Sequence, residues 1–218
     1  MSGEPRVATL SLEAPDQGVL FVITGPSGVG KSTLIKGLME RVPGLEFSVS
    51  ATTRAPRDGE VDGRDYHFLS AEEFAHRVER SEFLEYATVY DRSYGTLRAP
   101  VEFAIAQGRS VMLDIDVQGA RQVKERYPAC VRVFILPPSV ATLATRLRGR
   151  GMAESVIARR MSQVEEQLRG APEFDFVVVN DDLTSARAVF EGIFLGELAR
   201  VARRRSRIES VLADLAVE

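Results

Sequence analysis

The chain has little that would tie it to disulfide, zinc or membrane chemistry. Its 218 residues include one cysteine, two histidines and no tryptophan. A lone cysteine, Cys130, cannot form an internal disulfide, and no Cys/His group has zinc-ligand spacing. Cys130 reads as a small buried residue leading into a strand. His67 and His76 are too scattered to suggest a metal site or a triad. Charge is nearly balanced: 28 Lys and Arg against 31 Asp and Glu leave a formal net charge of −3. No global basic surface draws the chain to nucleic acid or anionic lipid, so an anionic ligand must meet a local cluster of cations. No apolar run nears the roughly 18 residues that a membrane helix needs. Residues 1–17 carry acids and prolines with no continuous apolar core and do not read as a signal peptide. They are expected to form a flexible tail on a cytoplasmic protein.

What is present suits a folded α/β domain, with 44% hydrophobic and 27% charged residues. Apolar, β-branched runs at 18–24, 110–116, 131–136 and 176–180 read as buried strands. Amphipathic helices are predicted over 31–42, 101–107, from 117 onward, over 140–148 and over 154–168. A last helix is predicted from Leu183 past Arg205, toward the C-terminus. Alternating strands and helices imply a parallel sheet covered on both faces. Residues 47–68 interrupt this pattern. They are polar and broken by Pro56, Gly59 and Gly63, and read as a turn-rich excursion with short strands. A helix over 71–80, a strand over 83–90 and a turn over 91–96 follow. Near the C-terminus, the basic cluster at 203–207 reads as a solvated helix face or a partner contact. Ile208, Val211, Leu212 and Leu215 make an apolar stripe that can cap the core or pair with another subunit.

Residues 25–32 match the pattern G-x-x-x-x-G-K-[ST]. They lie between an apolar run and an amphipathic helix, the context the mechanism requires. The glycines let the backbone curl so that successive N–H groups point at an anion, and the helix N-terminus adds its positive end. Gly25, Pro26, Ser27, Gly28, Val29, Gly30, Lys31, Ser32 and Thr33 therefore form a candidate nucleotide triphosphate site. Lys31 places a charge near the β- and γ-phosphates, and the Ser32 hydroxyl can ligate Mg²⁺. The motif does not say what happens to the triphosphate. Motors, switches and small-molecule kinases all carry it.

Residues 48–66, with Ser50, Arg54, Arg57, Asp65 and Tyr66, resemble the GMP-binding segment of guanylate kinases. The resemblance continues through Glu82 to Tyr86, Tyr94 to Thr96, Leu113 to Gly119 and Arg146 to Gly151, and ends near Leu183. It covers roughly residues 18 to 200 in order. It implies ATP:GMP phosphotransfer with Mg²⁺, serving purine nucleotide metabolism and GMP recycling. Arg54, Arg57, Tyr66 and Tyr94 would hold the GMP phosphate. Two guanidinium groups and two phenols can surround a dianion with donors. Glu85 and Asp116 would accept from guanine N1 and N2. Ser50 and Thr96 would donate to O6, with Gly95 beside them. Asp114 would serve Mg²⁺ with Ser32. Asp114 and Asp116 alternate around Ile115 at a strand end, where ligands sit in open α/β sheets.

Arg146, Arg150 and Arg160 match the family's lid arginines. Here the stretch after Gly151 is about one residue shorter than the family pattern, so Arg159 rivals Arg160 for that place. Asn180 and Asp181 match the segment near adenine. The implied fold is a P-loop parallel sheet flanked by helices, with an inserted α+β GMP-binding subdomain and a helical lid. The expected division is a core at 18–50, 98–143 and 163–218, the GMP-binding subdomain at 51–97 and the lid at 144–162. ATP and GMP are the expected partners, with no nucleic acid or membrane. A homo-oligomer through the C-terminal helix stays open.

Overall fold

The computed structural model describes residues 14–89, 91–149, 151 and 153–215. The chain opens with β1 (Leu20–Thr24), α1 (Lys31–Met39), β2 (Leu45–Phe47), β3 (Ala51–Thr52), β4 (His67–Phe68), α2 (Ala71–Glu79), β5 (Phe83–Val89) and β6 (Arg92–Leu97). It continues with α3 (Arg98–Ala106), β7 (Ser110–Asp114), α4 (Val117–Arg126), β8 (Val131–Leu136), α5 (Val140–Arg148) and α6 (Glu154–Arg169). It closes with β9 (Phe176–Val179), α7 (Leu183–Leu198) and α8 (Arg205–Leu215).

Five strands form a parallel sheet in the order β2-β7-β1-β8-β9. All five residues of β1 are buried, because helices cover both sheet faces. Its side chains alternate between two cores. Phe21 and Ile23 join residues of α1 and α7, while Leu20 and Val22 join residues of α3 and α4. Phe21 and Phe194 pack with ring centroids 4.9 Å apart. The register sets Ile23 of β1 beside Asp114 of β7. That pairing brings the loop after β1 and the acid ending β7 to the same sheet edge.

A second, mixed sheet has the order β4-β3-β6-β5 and a small core of Ala51, Phe74, Phe83 and Leu97. Its helix α2 is capped by Ser70, whose hydroxyl accepts from Glu73 N at 3.0 Å.

The structure departs from the sequence reading in four places. Residues 91–96 are expected as a turn, but residues 92–97 are strand β6, paired with β5 on one side and β3 on the other. Arg92, Ser93 and Gly95 hide the strand in the sequence, and cross-strand pairing creates it. A Cβ on Gly95 would lie 2.8 Å from Glu85 O and 2.9 Å from the Phe83 ring, so only glycine lets β6 approach β5 this closely. Helix α3 starts at Arg98, before the expected 101. Pro100 falls in its first turn, where backbone N–H groups have no partner to lose. Edge strand β2 was not expected as a separate element; it pairs with β7.

Finally, the last helix is two helices. Between α7 and α8, a single 3-10 turn spans Val201–Arg203. Arg203 donates to Gly18 O at 3.2 Å, and Asp16 N donates to Arg203 O at 3.0 Å. Arg204 Nε donates to Leu198 O at 3.1 Å, occupying a carbonyl at the end of α7. The break is therefore tertiary, made by the segment entering β1.

Candidate functional site

The loop after β1 closes on itself before any ligand is considered. Lys31 Nζ donates to Gly25 O at 2.7 Å, and Val29 N donates to Pro26 O at 3.2 Å. Gly30 caps α1 at φ 104°, and a Cβ there would sit 2.3 Å from Asn180 Nδ2. Asn180 is buried, and its Nδ2 donates to Val29 O at 2.7 Å. Ser32 follows Lys31 at the helix start, with its N-terminal amides and dipole facing the loop.

Asp114 lies 3.7 Å from Lys31 Nζ with 26% of its side chain exposed. Loss of hydration pushes its carboxyl above the ordinary aspartate range, and the Lys31 charge opposes that rise. Ser32, Asp114, Ile35, Met39 and Phe47 line one cleft of about 430 Å³. The cleft runs along the side of α1, and at its Ser32–Asp114 end the helix N-terminus, the Lys31 ammonium and the Asp114 carboxylate come together. That donor set suits a polyphosphate with a hard divalent cation, which takes one or two carboxylates plus phosphate oxygens. No group of three or more His, Cys, Asp or Glu among the described residues could hold a metal alone.

A second cluster sits where the two sheets meet. Glu85 in β5 is 7% exposed, and its Oε1 accepts from Thr96 Oγ1 at 2.7 Å. Asp116 is the N-cap of α4, its Oδ1 accepting from Gly119 N at 2.7 Å. A Cβ on Gly119 would lie 3.1 Å from Glu85 Oε2 and 3.4 Å from Asp116 Oδ1, so the missing side chain leaves both carboxylates facing one space. Burial pushes the Glu85 carboxyl above its ordinary range; the Thr96 hydrogen bond opposes this and the Asp116 charge adds to it. A buried carboxylate at Glu85 and an exposed one at Asp116, with a neighbouring hydroxyl, suit a ligand carrying N–H donors. Ser50 borders β3 and is half-buried, its carbonyl accepting from His67 N at 2.9 Å.

A third cluster surrounds Arg54. Its guanidinium lies 5.2 Å from the centroid of the Tyr66 ring and donates to Glu60 Oε1 at 2.8 Å. Tyr66 and Tyr94 meet edge-on at 6.3 Å between centroids. Arg57 is exposed, and its backbone N donates to Glu60 Oε2 at 2.7 Å. The Glu60 hydrogen bond holds the Arg54 pKa above its ordinary value. Glu60 and Thr52 were missed as site residues. Thr52 Oγ1 accepts from Arg54 N at 3.1 Å and fixes the turn. Glu60 follows Arg57 by three residues in a glycine-containing turn, a usable signal for a carboxylate that returns to its own loop.

On the opposite side, Arg146 Nη1 donates to Asn180 O at 2.9 Å, and Arg160 Nη1 donates to Ser27 Oγ. Two of the expected lid arginines therefore touch the phosphate loop or its support. Arg150 lies outside the described residues. Arg159 is exposed at the surface of α6, and Asp181 O accepts from Arg146 Nη2 at 3.4 Å.

The guanylate kinase family model matches residues 17–194. A guanylate kinase from Synechocystis sp. is 54% identical over 178 residues, 79% of this chain and 93% of that protein. One from Symbiobacterium thermophilum is 46% identical over 199 residues, 91% of this chain and 94% of the relative. The crystal structure of guanylate kinase from Anaplasma phagocytophilum superposes with a TM-score of 0.68 at 32% identity, covering 87% of this chain and 90% of that one.

Proposed function

This chain belongs to the guanylate kinase family, whose activity is transfer of the γ-phosphoryl group of ATP to GMP, and on that premise we propose how its own residues carry out the transfer. The observation that carries the assignment is the facing pair Glu85 and Asp116, with Thr96 bonded to Glu85. Guanine presents N1–H and N2–H₂ as donors and O6 as an acceptor. The two carboxylates complement the N–H donors and the Ser50 hydroxyl the O6 acceptor, while the Thr96 hydroxyl, whose one proton goes to Glu85 Oε1, orients that carboxylate. Adenine would set a lone pair at N1 against a carboxylate, leaving buried groups unpaired.

Arg54, Arg57, Tyr66 and Tyr94 hold the GMP phosphate, with Glu60 keeping Arg54 aimed until the phosphate arrives. The phosphate loop, Lys31 and the helix N-terminus hold the ATP phosphates. Asn180 supports the loop from beneath. Ser32 and Asp114 hold Mg²⁺, which when bound neutralises phosphate charge. A GMP phosphate oxygen, already ionised, forms a bond to the γ-phosphorus. The bond from that phosphorus to the β–γ bridging oxygen breaks, and ADP leaves with the electron pair. No protein nucleophile is required. Lys31, Arg146, Arg150 and Arg160 offset the charge on the transferring group.

Residues 51–97 and 144–162 are assigned as the GMP-binding subdomain and the lid. Their closure excludes water, which would otherwise compete as acceptor. Cytoplasmic residence is part of the proposal, as is pairing of two chains through α8. Support for pairing is the exposure of Ile208, Val211, Leu212 and Leu215, from 42% to 70%; light scattering would test it.

The direct test measures ADP formation from MgATP with GMP, AMP, CMP, UMP or no acceptor. ADP formed only with GMP is expected. Equal, slow turnover with every acceptor would sink the assignment, as would ATP hydrolysis without GMP in a single turnover.

A further inference from the structure

Glu85 lies on a strand of the second sheet and Asp116 at the start of α4, yet they must face one base to act together. The contact that links them lies on the outer edge of β5, the last strand of its sheet. Gln122 of α4 meets that edge like a neighbouring strand. Its Oε1 accepts from Tyr86 N at 3.2 Å, and its Nε2 donates to Tyr86 O at 2.9 Å. Both backbone groups of an edge residue are thereby paired by one side chain.

One turn further along α4, Arg126 Nη1 donates to Leu84 O at 3.0 Å and to Gln122 Oε1 at 2.9 Å. The Arg126 guanidinium also lies 5.3 Å from the centroid of the Tyr86 ring. Leu84 sits at the register shift of β5, where Phe83 pairs with Leu97 and Glu85 with Thr96, leaving Leu84 without a partner on β6. Arg126 takes the carbonyl at that irregularity. Residues 84 and 86 are therefore both gripped by α4, and Glu85 lies between them. The same helix begins at Asp116, its own N-cap.

We infer that Gln122, braced by Arg126, is a positioning residue for base recognition: it fixes Glu85 of β5 opposite Asp116 at the start of α4. This rests on the guanine reading proposed above. No chemistry is assigned to Gln122 itself, and it acts through Glu85. A helix rigid over one to two turns converts the separation of the two carboxylates into a fixed distance. Side-chain hydrogen bonds to an exposed strand edge are what make that distance hold.

The test is a kinetic cycle with Gln122→Met, Glu85→Gln and the double variant, using GMP and AMP as acceptors. Methionine keeps the stem and its packing and removes both hydrogen bonds. The expected result for Gln122→Met is a rise in the KM for GMP of about tenfold, a reduced GMP-over-AMP preference, and a KM for ATP within about twofold of wild type. On the Glu85→Gln background the same change should add less than about twofold, because its route to the base is already cut.

Additive effects in the double variant, or parallel rises in both KM values, would show a general structural role and overturn the inference. So would an unchanged KM for GMP. If Gln122→Met does not fold, Gln122→Glu serves. It retains an acceptor for Tyr86 N, loses the donor to Tyr86 O, and should shift the KM for GMP in the same direction. If Glu85→Gln alone leaves the GMP preference intact, the guanine reading itself fails and this inference falls with it. If Glu85→Gln abolishes the preference and Gln122→Met does nothing, only the inference falls.

Discussion

Asn180 Nδ2 donates to Val29 O at 2.7 Å, tying the end of β9 to the phosphate loop across 151 residues of chain. The same nitrogen would lie 2.3 Å from a Cβ at residue 30, where the backbone runs at φ 104°. One side chain both holds the loop and forbids a side chain beneath it. Asn180→Ala leaves a buried carbonyl without its partner and should cost about 1–3 kcal/mol in urea unfolding. Gly30→Ala adds a clash and a strained φ, so it should also raise the KM for MgATP by at least about tenfold. A Gly30→Ala protein with wild-type unfolding and wild-type KM would refute this account of the loop.

Lys31 is held between Gly25 O and Asp114 before ATP arrives. It therefore needs little rearrangement to meet the phosphates. Lys31→Met should lower kcat by about 10²–10³-fold, the usual effect of removing one preorganised donor. Asp114→Asn should shift the Mg²⁺ concentration for half-maximal rate upward while leaving GMP binding, measured by calorimetry, near wild type. An Asp114→Asn enzyme with an unaltered Mg²⁺ titration would remove that residue from the metal role.

Glu85 should show opposite signs in activity and stability. Its folded pKa is raised, chiefly by burial. A carboxyl raised on folding binds more protons in the native state than in the unfolded state over the window between the two pKa values. Stability then falls as pH rises from near 4.5, the ordinary value, through the folded value. The full penalty stands only above the folded value. Glu85→Gln should thus unfold at a higher temperature than wild type near neutrality, with the gap closing below the ordinary glutamate value. Its turnover with GMP should fall. Ionised Glu85 is the form that accepts from guanine, so the wild-type KM for GMP should rise as pH drops through the folded pKa. Paired melting curves and GMP titrations across pH check both signs.

Asp16 holds the start of α8. Its carboxylate accepts from Ser206 N at 2.9 Å and from the Ser206 hydroxyl. Those bonds lower its pKa below the ordinary aspartate value, so the tie is present at neutral pH and is lost on acidification through the folded pKa. Asp16→Ala should speed amide exchange in α8 and leave GMP and ATP kinetics unchanged. Exchange confined to wild-type rates would show that α8 is held by other contacts.

The motif at 25–32 was legible because its chemistry is local. Consecutive residues supply the turn, the amides, Lys31 and Ser32, and four apolar runs announced the strands that carry them. The resemblance named the GMP-side residues and the order of the parts. What stayed hidden depends on partners distant in sequence. Strand β6 is polar and contains Gly95, and becomes a strand only because β3 and β5 flank it. The break before α8 has no proline or glycine and follows from Asp16, Gly18 and Leu198 meeting Arg203 and Arg204. Glu60, Gln122 and Arg126 look like surface residues because neither periodicity nor spacing says which backbone atom a long polar side chain will reach.

The sequence by itself determined the phosphate-binding chemistry and the α/β layering, since both follow from residues that are neighbours along the chain. Only the tertiary structure decided how Glu85 and Asp116 come to face one space. Their approach depends on the strand edge gripped by Gln122 and on the side chain that Gly119 lacks.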